Sequence, residues 1–258
     1  MMSLPITIMS LSKAYDGQEF YRELPHRVLD LRDIQGTSCY LDSEAQEEIV
    51  RRMEEVPQGG IHFLDSGNYH YLTYLWLRKV QEPFWLLVFD NHTDMQPPAF
   101  GDLLSCGGWT LKALETLPLL EGVVLVGPEE DAFRQTDLSL RRRVRFFGSE
   151  SLALSFDALY EELMHLSKVP SLYISLDKDI FCLRDAVTDW DQGWLTLEDF
   201  LPLLSFLLTE REKQGLGLLG FDICGDGKEA LGEDALVNDR TNAALLRTLG
   251  YGGACDEK

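Results

Sequence analysis

The chain has 258 residues, of which 45% are hydrophobic, and a formal net charge of −20 at pH 7. Its apolar content is enough to form a sizeable core, which excludes an intrinsically disordered protein, and its acidic balance makes nucleic acid and anionic membranes unsuitable partners. No stretch reaches the roughly 18 to 20 uninterrupted apolar residues of a membrane helix, and the first residues do not have the pattern of a signal peptide.

The cysteines are five in number, are far apart in the sequence and include no Cys-x-x-Cys pair. A dispersed, odd-numbered set argues against a disulfide framework and against a zinc–thiolate site. We therefore expect a protein of the reducing cytoplasm. The residues concerned are Cys39, Cys106, Cys182, Cys224 and Cys255.

Short apolar runs recur along the chain, with amphipathic segments between them. Runs such as Trp-Leu-Leu-Val-Phe and Ser-Leu-Tyr-Ile-Ser are continuous rather than alternating, which is typical of strands that are covered on both faces in a parallel sheet. In chain order, the predicted strands are 6–11, 27–31, 61–64, 85–90, 123–127, 144–147, 172–177 and 218–223.

Helical patterns fill the intervals between these strands, and the first of them opens with a possible capping box from Ser43 to Gln46. The alternation predicts one doubly wound α/β domain over residues 1–258, in which ligands bind beyond the carboxyl ends of the strands. The predicted helices are 43–55, 69–80, 152–166, 195–213 and 238–249.

Chemically reactive side chains follow the predicted strand 85–90, where the sequence reads Asp90-Asn91-His92-Thr93-Asp94. Alternation in an extended segment turns residues 90, 92 and 94 to one side. Carboxylate and imidazole without thiolate suit Mn²⁺, Co²⁺, Ni²⁺, Fe²⁺ or Zn²⁺. A polar loop with one capping aspartate is the alternative for so short a motif.

A second acidic pair, Asp177 and Asp179, follows the predicted strand 172–177. Two carboxylates this close repel each other unless a cation lies between them, so the pair favours a metal site over a simple turn. His70 comes after the predicted strand 61–64, at the start of a helix. By itself, such a histidine is more often a capping or structural residue than a ligand.

Taken in order, these three segments resemble the arginase (ureohydrolase) superfamily, whose pattern is Gly-Gly-Asp-His, Asp-Ala-His-x-Asp and Ser-x-Asp-x-Asp. The corresponding residues here are 67–70, 90–94 and 175–179, and the resemblance extends from residue 61 to about residue 225. It implies the arginase–deacetylase fold, a three-layer α/β/α arrangement with a mostly parallel eight-stranded sheet, which agrees with the eight strands counted above.

The resemblance also implies a site for two divalent metal ions. Mn²⁺ is the usual metal of the family, and Ni²⁺, Co²⁺, Fe²⁺ or Zn²⁺ are compatible with the same residues. A hydroxide that bridges the two metals would attack a guanidine or formimino carbon, and Asp94 would accept a hydrogen bond from it. In the implied ligand set, one metal is held by His70 and Asp94, the other by His92 and Asp179, and both by Asp90 and Asp177.

The substrate residues of the family are less well matched. After the last strand, the glutamate that grips a guanidinium is replaced by Gly225, and we expect Asp226, the next residue, to be a candidate for its catalytic and binding role. A turn aspartate in a Gly-Asp-Gly loop is the alternative. Ser105 is retained as a possible polar contact, but the family's proton-shuttle histidine becomes Trp109, interpreted as an apolar wall of the pocket or as packing.

The Asp-Pro that usually follows the third motif is replaced by a segment that contains Trp190 as well as Asp185, Asp189 and Asp191. Trp190 is a candidate substrate contact, and the acids are either partners for a cationic amine or ordinary turn residues.

We therefore predict a hydrolase of linear, non-peptide C–N bonds in a small, cationic guanidino, amidino or amide compound. It is not expected to be a typical arginase, and arginine should be a poor substrate or none. A single-zinc amidohydrolase of the deacetylase type is one alternative. A metal-binding protein that has lost catalysis is the other. The resemblance also implies a homo-oligomer, without selecting the number of subunits.

Overall fold

The computed structural model describes residues 4–98, 101–229 and 231–251, so Cys255 lies outside the described residues. Strands form where the sequence has short apolar runs, and two further strands of two residues each were not predicted. The strands of the described chain are β1 (Ile6–Ser10), β2 (His26–Asp30), β3 (Tyr40–Leu41), β4 (Ile61–Phe63), β5 (Phe84–Phe89), β6 (Leu104–Ser105), β7 (Leu120–Val126), β8 (Val144–Phe147), β9 (Leu172–Asp177) and β10 (Gly220–Cys224).

Helices connect most of these strands, and no described helix is long and apolar enough to cross a membrane. The helices are α1 (Ser43–Met53), α2 (Leu72–Leu77), α3 (Trp109–Thr116), α4 (Glu130–Arg134), α5 (Leu138–Arg141), α6 (Ser149–Leu152), α7 (Asp157–Leu166), α8 (Leu197–Lys213) and α9 (Glu233–Thr248).

The eight long strands form one parallel sheet in the order β2-β1-β4-β10-β9-β5-β7-β8. Strands β5 and β9 are neighbours, but the chain continues from β5 to β7 on one side and from β9 to β10 on the other. Such a reversal opens a crevice at the carboxyl ends of the two strands. The predicted eight-stranded α/β fold is confirmed, and the crevice lies where the acidic motifs follow their strands.

The sheet is covered on both faces by apolar clusters. On β5, Leu86 and Val88 belong to one cluster, whereas Leu87 and Phe89 belong to the other. One cluster includes residues of α1, α2 and α3, and the other includes residues of α7, α8 and α9. Helices therefore cover the sheet on both sides, in an α/β/α arrangement. Neither face of β5 meets water, which explains why its sequence is a continuous apolar run.

Local details differ from the sequence prediction. The capping box was wrong: the residue that caps α1 is Asp42, whose side chain accepts a hydrogen bond from the Ala45 amide at 2.8 Å. The helix predicted over 69–80 is a short 3₁₀ turn, Gly67–Tyr69, followed by α2. The helix predicted over 152–166 is divided into α6 and α7.

Candidate metal site

The loops after β5 and β9 lie side by side, because Phe89 pairs with Leu176 in the sheet and the next residues along are Asp90 and Asp177. Each loop orients its own first carboxylate. Asp90 Oδ1 accepts a hydrogen bond from the His92 amide at 2.7 Å, and Asp177 Oδ1 accepts one from the Asp179 amide at 3.0 Å. The two aspartates therefore enter the crevice with one oxygen already held by their loops.

His70 reaches the same crevice from β4, through the 3₁₀ turn Gly67–Tyr69. Its Nδ1 lies 3.0 Å from Asp94 Oδ2, 3.2 Å from Asp90 Oδ2 and 3.5 Å from Asp177 Oδ2. Its other ring nitrogen, Nε2, lies 2.8 Å from Ser175 Oγ. The serine thus holds the back of the ring, and Nδ1 is directed at three carboxylates.

His92 lies on the outer side of the cluster and is partly exposed. Its Nδ1 is 2.9 Å from Asp179 Oδ2 and 3.6 Å from Asp90 Oδ1. The backbone amide of Asn91 donates to the other oxygen of Asp179 at 3.1 Å. His92 therefore belongs to a second group of donors, which has only Asp90 in common with the group of His70, Asp90 and Asp94.

The ligand atoms fall into groups of three that are compact enough to hold an ion, with all atoms of a group within 4.8 Å of one another. One group is His70, Asp90 and Asp94, another is Asp90, His92 and Asp179, and a third joins His70 to Asp177 and Cys224. His70 Nδ1 and Asp90 Oδ2 are buried and lie 3.2 Å apart, but neither makes a hydrogen bond of regular geometry. Carboxylate and imidazole donors around such buried atoms fit divalent cations.

The close packing of these carboxylates and imidazoles shifts several of their pKa values upward. Burial and then the charge of Asp90 raise the pKa of Asp94 to about 7. Burial opposes the charged form of His92, but its hydrogen bonds to Asp179 and Asp90 outweigh burial and raise its pKa to about 12. Burial, followed by the charges of Asp177 and Asp90, raises the pKa of Asp179 well above its ordinary value. Divalent cations would take the place of the protons on these groups, so metal binding should release protons.

A cavity of about 230 Å³ opens onto five of the six predicted ligands, all except His70. Of the predicted substrate residues, Ser105 and Trp190 line it. Trp190 donates its indole N–H to Asn68 Oδ1 at 2.9 Å, and its ring lies edge-on to the His92 ring at 5.9 Å between centroids. The other lining residues are Cys39, Tyr40, Gly67, Gln96, Cys106 and Gly107.

Trp109 does not line the cavity, contrary to its interpretation as a wall. It is the first residue of α3 and is fully buried. Its indole N–H donates to Asp94 Oδ2 at 2.6 Å, and its ring lies 4.7 Å from the His70 ring. The tryptophan therefore supports two predicted ligands from behind, because the start of α3 directs its side chain into the core.

Asp226 does not line the cavity either, contrary to its predicted catalytic and substrate-binding role. It is fully buried, with Oδ2 2.8 Å from Lys178 Nζ and Oδ1 accepting from Gln18 Nε2 at 2.7 Å. In the sequence, Lys178 lies between the predicted ligands Asp177 and Asp179, but its side chain points away from them. Its ammonium group forms the ion pair with the Asp226 carboxylate. Gly225 has a φ of +90°, and a Cβ there would collide with Asp177 Oδ1 and the Lys178 amide, so that position has no room for an acid.

Two of the three acidic residues in the segment that contains Trp190 accept hydrogen bonds from protein groups. Asp185 accepts a hydrogen bond from the Leu197 amide at 2.9 Å, and Asp189 accepts one from Ser66 Oγ at 2.7 Å. Neither residue lines the cavity, nor does Asp191. These positions agree with the turn interpretation of the acids.

Two supporting residues were not assigned roles from the sequence. Ser175 is the first residue of the motif at 175–179, and alternation along β9 places it on the same side as Asp177. Cys224, the last residue of β10, donates from Sγ to Asp177 Oδ2 at 3.1 Å. The strand pairing of Cys224 with Asp177 accounts for this contact and is not visible in the sequence.

The comparisons with known proteins agree with this fold, although no family model matches the chain. An uncharacterized protein of Thermotoga maritima is 30% identical over 244 residues, which cover 95% of this chain and 89% of that protein. Its similarity over nearly the whole length shows common descent.

Solved structures with this fold include several named enzymes. The formimidoylglutamase of Bacillus subtilis has a TM-score of 0.69 at 15% identity, with 96% of this chain and 86% of that chain covered. An arginase of Bacillus subtilis has a TM-score of 0.67 at 14% identity, with 98% and 99% covered. The proclavaminate amidino hydrolase of Streptomyces clavuligerus has a TM-score of 0.63 at 14% identity, with 96% and 92% covered. The chain therefore belongs to the family of the Thermotoga maritima protein and has the fold of the arginase (ureohydrolase) superfamily.

Proposed function

We propose that the chain is a hydrolase of a non-peptide C–N bond in a small guanidino, amidino or amide compound, and that it uses two divalent metal ions. The observation that carries the proposal is the position of Asp90, which belongs to two separate groups of histidine and aspartate donors. Two groups that share one carboxylate favour a binuclear site over the single-zinc alternative.

The six residues proposed as ligands are those of the sequence prediction: His70 and Asp94 for one metal, His92 and Asp179 for the other, and Asp90 and Asp177 between them. Mn²⁺ is the first metal to test, followed by Ni²⁺, Co²⁺, Fe²⁺ and Zn²⁺. When bound, such a metal pair supplies Lewis acidity and lowers the pKa of water.

Asp94 is the proposed proton acceptor in the reaction. It belongs to only one of the two donor groups that share Asp90, and it lines the cavity. The indole N–H of Trp109 holds its Oδ2 at 2.6 Å, which limits the rotation of the carboxylate. A fixed acceptor beside the reacting atoms is the kind of group that general base catalysis requires.

The lining of the cavity favours a small substrate that carries no charge outside its reacting C–N group. The sequence instead led us to expect a cationic substrate. Apart from the proposed ligands, its described lining has no charged side chain, and its polar groups include Gln96, Ser105 and Tyr40. Asp226 is paired with Lys178, and Gly225 has no space for an acid. A guanidinium group therefore lacks the carboxylate that would orient it, and we expect arginine to be a poor substrate or none.

The proposal is tested by loading the purified, metal-free protein with each metal and assaying the release of urea, ammonia, formate and acetate from a panel of guanidines, amidines, ureas and amides. We expect about two metals per chain and turnover of at least one compound, because the two metals of such a site act together on the substrate. One tightly bound zinc with acetate release would instead indicate the deacetylase-type alternative. Two bound metals without any turnover would indicate the metal-binding alternative, and efficient release of urea from arginine would contradict the assignments of Gly225 and Asp226.

We also propose a cytoplasmic location, from the dispersed and odd-numbered cysteines, and a homo-oligomeric state, from the resemblance. Sedimentation of the purified protein over a range of concentrations would measure the number of subunits.

A further inference from the structure

Two cysteines that are far apart in the sequence face each other at the metal cavity. In the short antiparallel pair of β3 and β6, Tyr40 is opposite Ser105 and Leu41 is opposite Leu104. The next position in this register places Cys39 opposite Cys106, and the Cys106 amide donates to the Cys39 carbonyl at 2.9 Å. The expectation that the five cysteines are dispersed therefore holds along the sequence but not in space.

The backbone geometry at this position is compatible with a covalent link between the two side chains. The Cys106 amide bonds directly to the Cys39 carbonyl, although Cys39 has a φ of +61° and Cys106 begins a 3₁₀ turn, so the pair lies just beyond the regular ladder. A disulfide needs Cα atoms about 4.4–6.8 Å apart, a separation that backbones in direct hydrogen-bond contact can reach. The thiols also interact with each other. Burial, the charge of Asp94 and the neighbouring Cys39 thiol raise the pKa of Cys106.

The surroundings of this pair distinguish it from the other described cysteines. Cys39 and Cys106 both line the cavity, and Cys39 is the more exposed of the two. Cys224 is fully buried and bonded to Asp177, and Cys182 has Asp185 Oδ2 at 3.7 Å. An oxidant of small size that enters the cavity therefore meets Cys39 first, with Cys106 next to it.

We propose that Cys39 and Cys106 are a redox-active thiol pair that closes to a disulfide at the wall of the metal cavity. With a low-molecular-weight disulfide as the oxidant, the Cys39 thiolate attacks one of its sulfurs and releases the first thiol. Sγ of Cys106 then attacks Sγ of Cys39, its proton passes to the departing sulfur, and the second thiol is released. The two protein thiols lose two electrons and two protons, and the oxidant gains them as two free thiols.

The link would join the segment before β3 to the turn after β6, and so fix the cavity wall around Ser105. None of the six proposed metal ligands lies on these two segments. Closure of the disulfide is therefore expected to leave the metal content unchanged and is independent of the proposed function.

The test is oxidation of the full, reduced chain with a series of oxidised and reduced glutathione mixtures, followed by thiol counting under denaturing conditions and by peptide mapping with mass spectrometry. We expect the thiol count to fall from five to three, with a cross-linked peptide pair that contains Cys39 and Cys106, and dithiothreitol to restore all five.

Matched variants separate this pair from unspecific oxidation. Cys39→Ser and Cys106→Ser should each abolish the cross-link, whereas Cys182→Ser should retain it, with a count that falls from four to two because the wild type has five cysteines. A cross-link between other cysteines would overturn the proposal. So would a glutathione adduct on Cys39 that never proceeds to the disulfide, or a constant thiol count in the most oxidising mixture.

Discussion

The cavity at the proposed metal ligands and the buried pair of Lys178 and Asp226 both receive side chains from the end of β9, but the negative charge in them is balanced differently. Asp177 and Asp179 point into the cavity, and Lys178 points to the opposite side. In the buried pair, one carboxylate meets one ammonium group at 2.8 Å. Among the six proposed ligands, four carboxylates meet only two imidazoles, and all of the six except His70 line the cavity.

The difference indicates which buried aspartates are candidates for binding an added cation. The charge of Asp226 is balanced within the protein, so it contributes to folding and has no free capacity for a substrate. The carboxylates around the cavity outnumber the imidazoles, and His70 Nδ1 and Asp90 Oδ2, although 3.2 Å apart, make no hydrogen bond of regular geometry. Uncompensated buried charge in a cleft is therefore the feature that distinguishes the candidate site from structural ion pairs nearby.

The largest effect is expected from Asp90→Asn, which keeps the shape of the side chain but removes the charge shared by both donor groups. Metal content should fall from about two per chain to near zero, because neither ion of a shared pair keeps its charge balance. Metal analysis after gel filtration measures this. Asp226→Asn is the matched control and should retain both metals. If Asp90→Asn keeps one metal at its original affinity, Asp90 is not shared.

His70→Ala is expected to remove one metal and to leave the other. His70 lies in only one of the two donor groups that share Asp90, and it follows a 3₁₀ turn rather than forming part of a sheet strand. Calorimetric titration should therefore show one strong site in place of two, with an unchanged circular dichroism spectrum. An unfolded variant would show instead that His70 is a structural residue.

Lys178→Met breaks the buried pair while it keeps most of the aliphatic volume. It leaves the Asp226 carboxylate buried without its counter-charge, which typically costs about 3–5 kcal/mol of unfolding free energy. Urea denaturation of the metal-free protein measures the loss.

The double variant Lys178→Met/Asp226→Asn should recover part of that stability, because it removes the unpaired charge as well. Equal stability of the single variant and the wild type would contradict a structural role for the pair. Saturating metal should still bind to both variants.

The smallest effect is expected from Ser175→Ala, which removes the group 2.8 Å behind His70 Nε2. Loss of such an orienting partner typically weakens metal affinity about 10–100-fold, and only the site that contains His70 should change. Thr73→Val is the control, since Thr73 Oγ1 lies 3.2 Å from Ser175 Oγ. An equal loss in both variants would indicate general loosening rather than orientation of His70.

The amino-acid sequence by itself predicted the eight strands and the three segments that supply the proposed ligands. These features are local. Apolar runs covered on both faces indicate parallel strands, and residues that immediately follow such strands lie at one edge of the sheet. The motifs at 90–94 and 177–179 could therefore be brought together without knowledge of the packing.

Only the tertiary structure decided which neighbouring residues face the cavity. Asp226 is paired with Lys178 in the turn after β9, and Trp109 is turned into the core by the start of α3. Cys39 is brought to Cys106 by the pairing of β3 with β6, across 66 intervening residues. The physical reason is that the direction of a side chain in a loop depends on the partners available after packing. Those partners come from segments that are distant in sequence, so no local pattern encodes them.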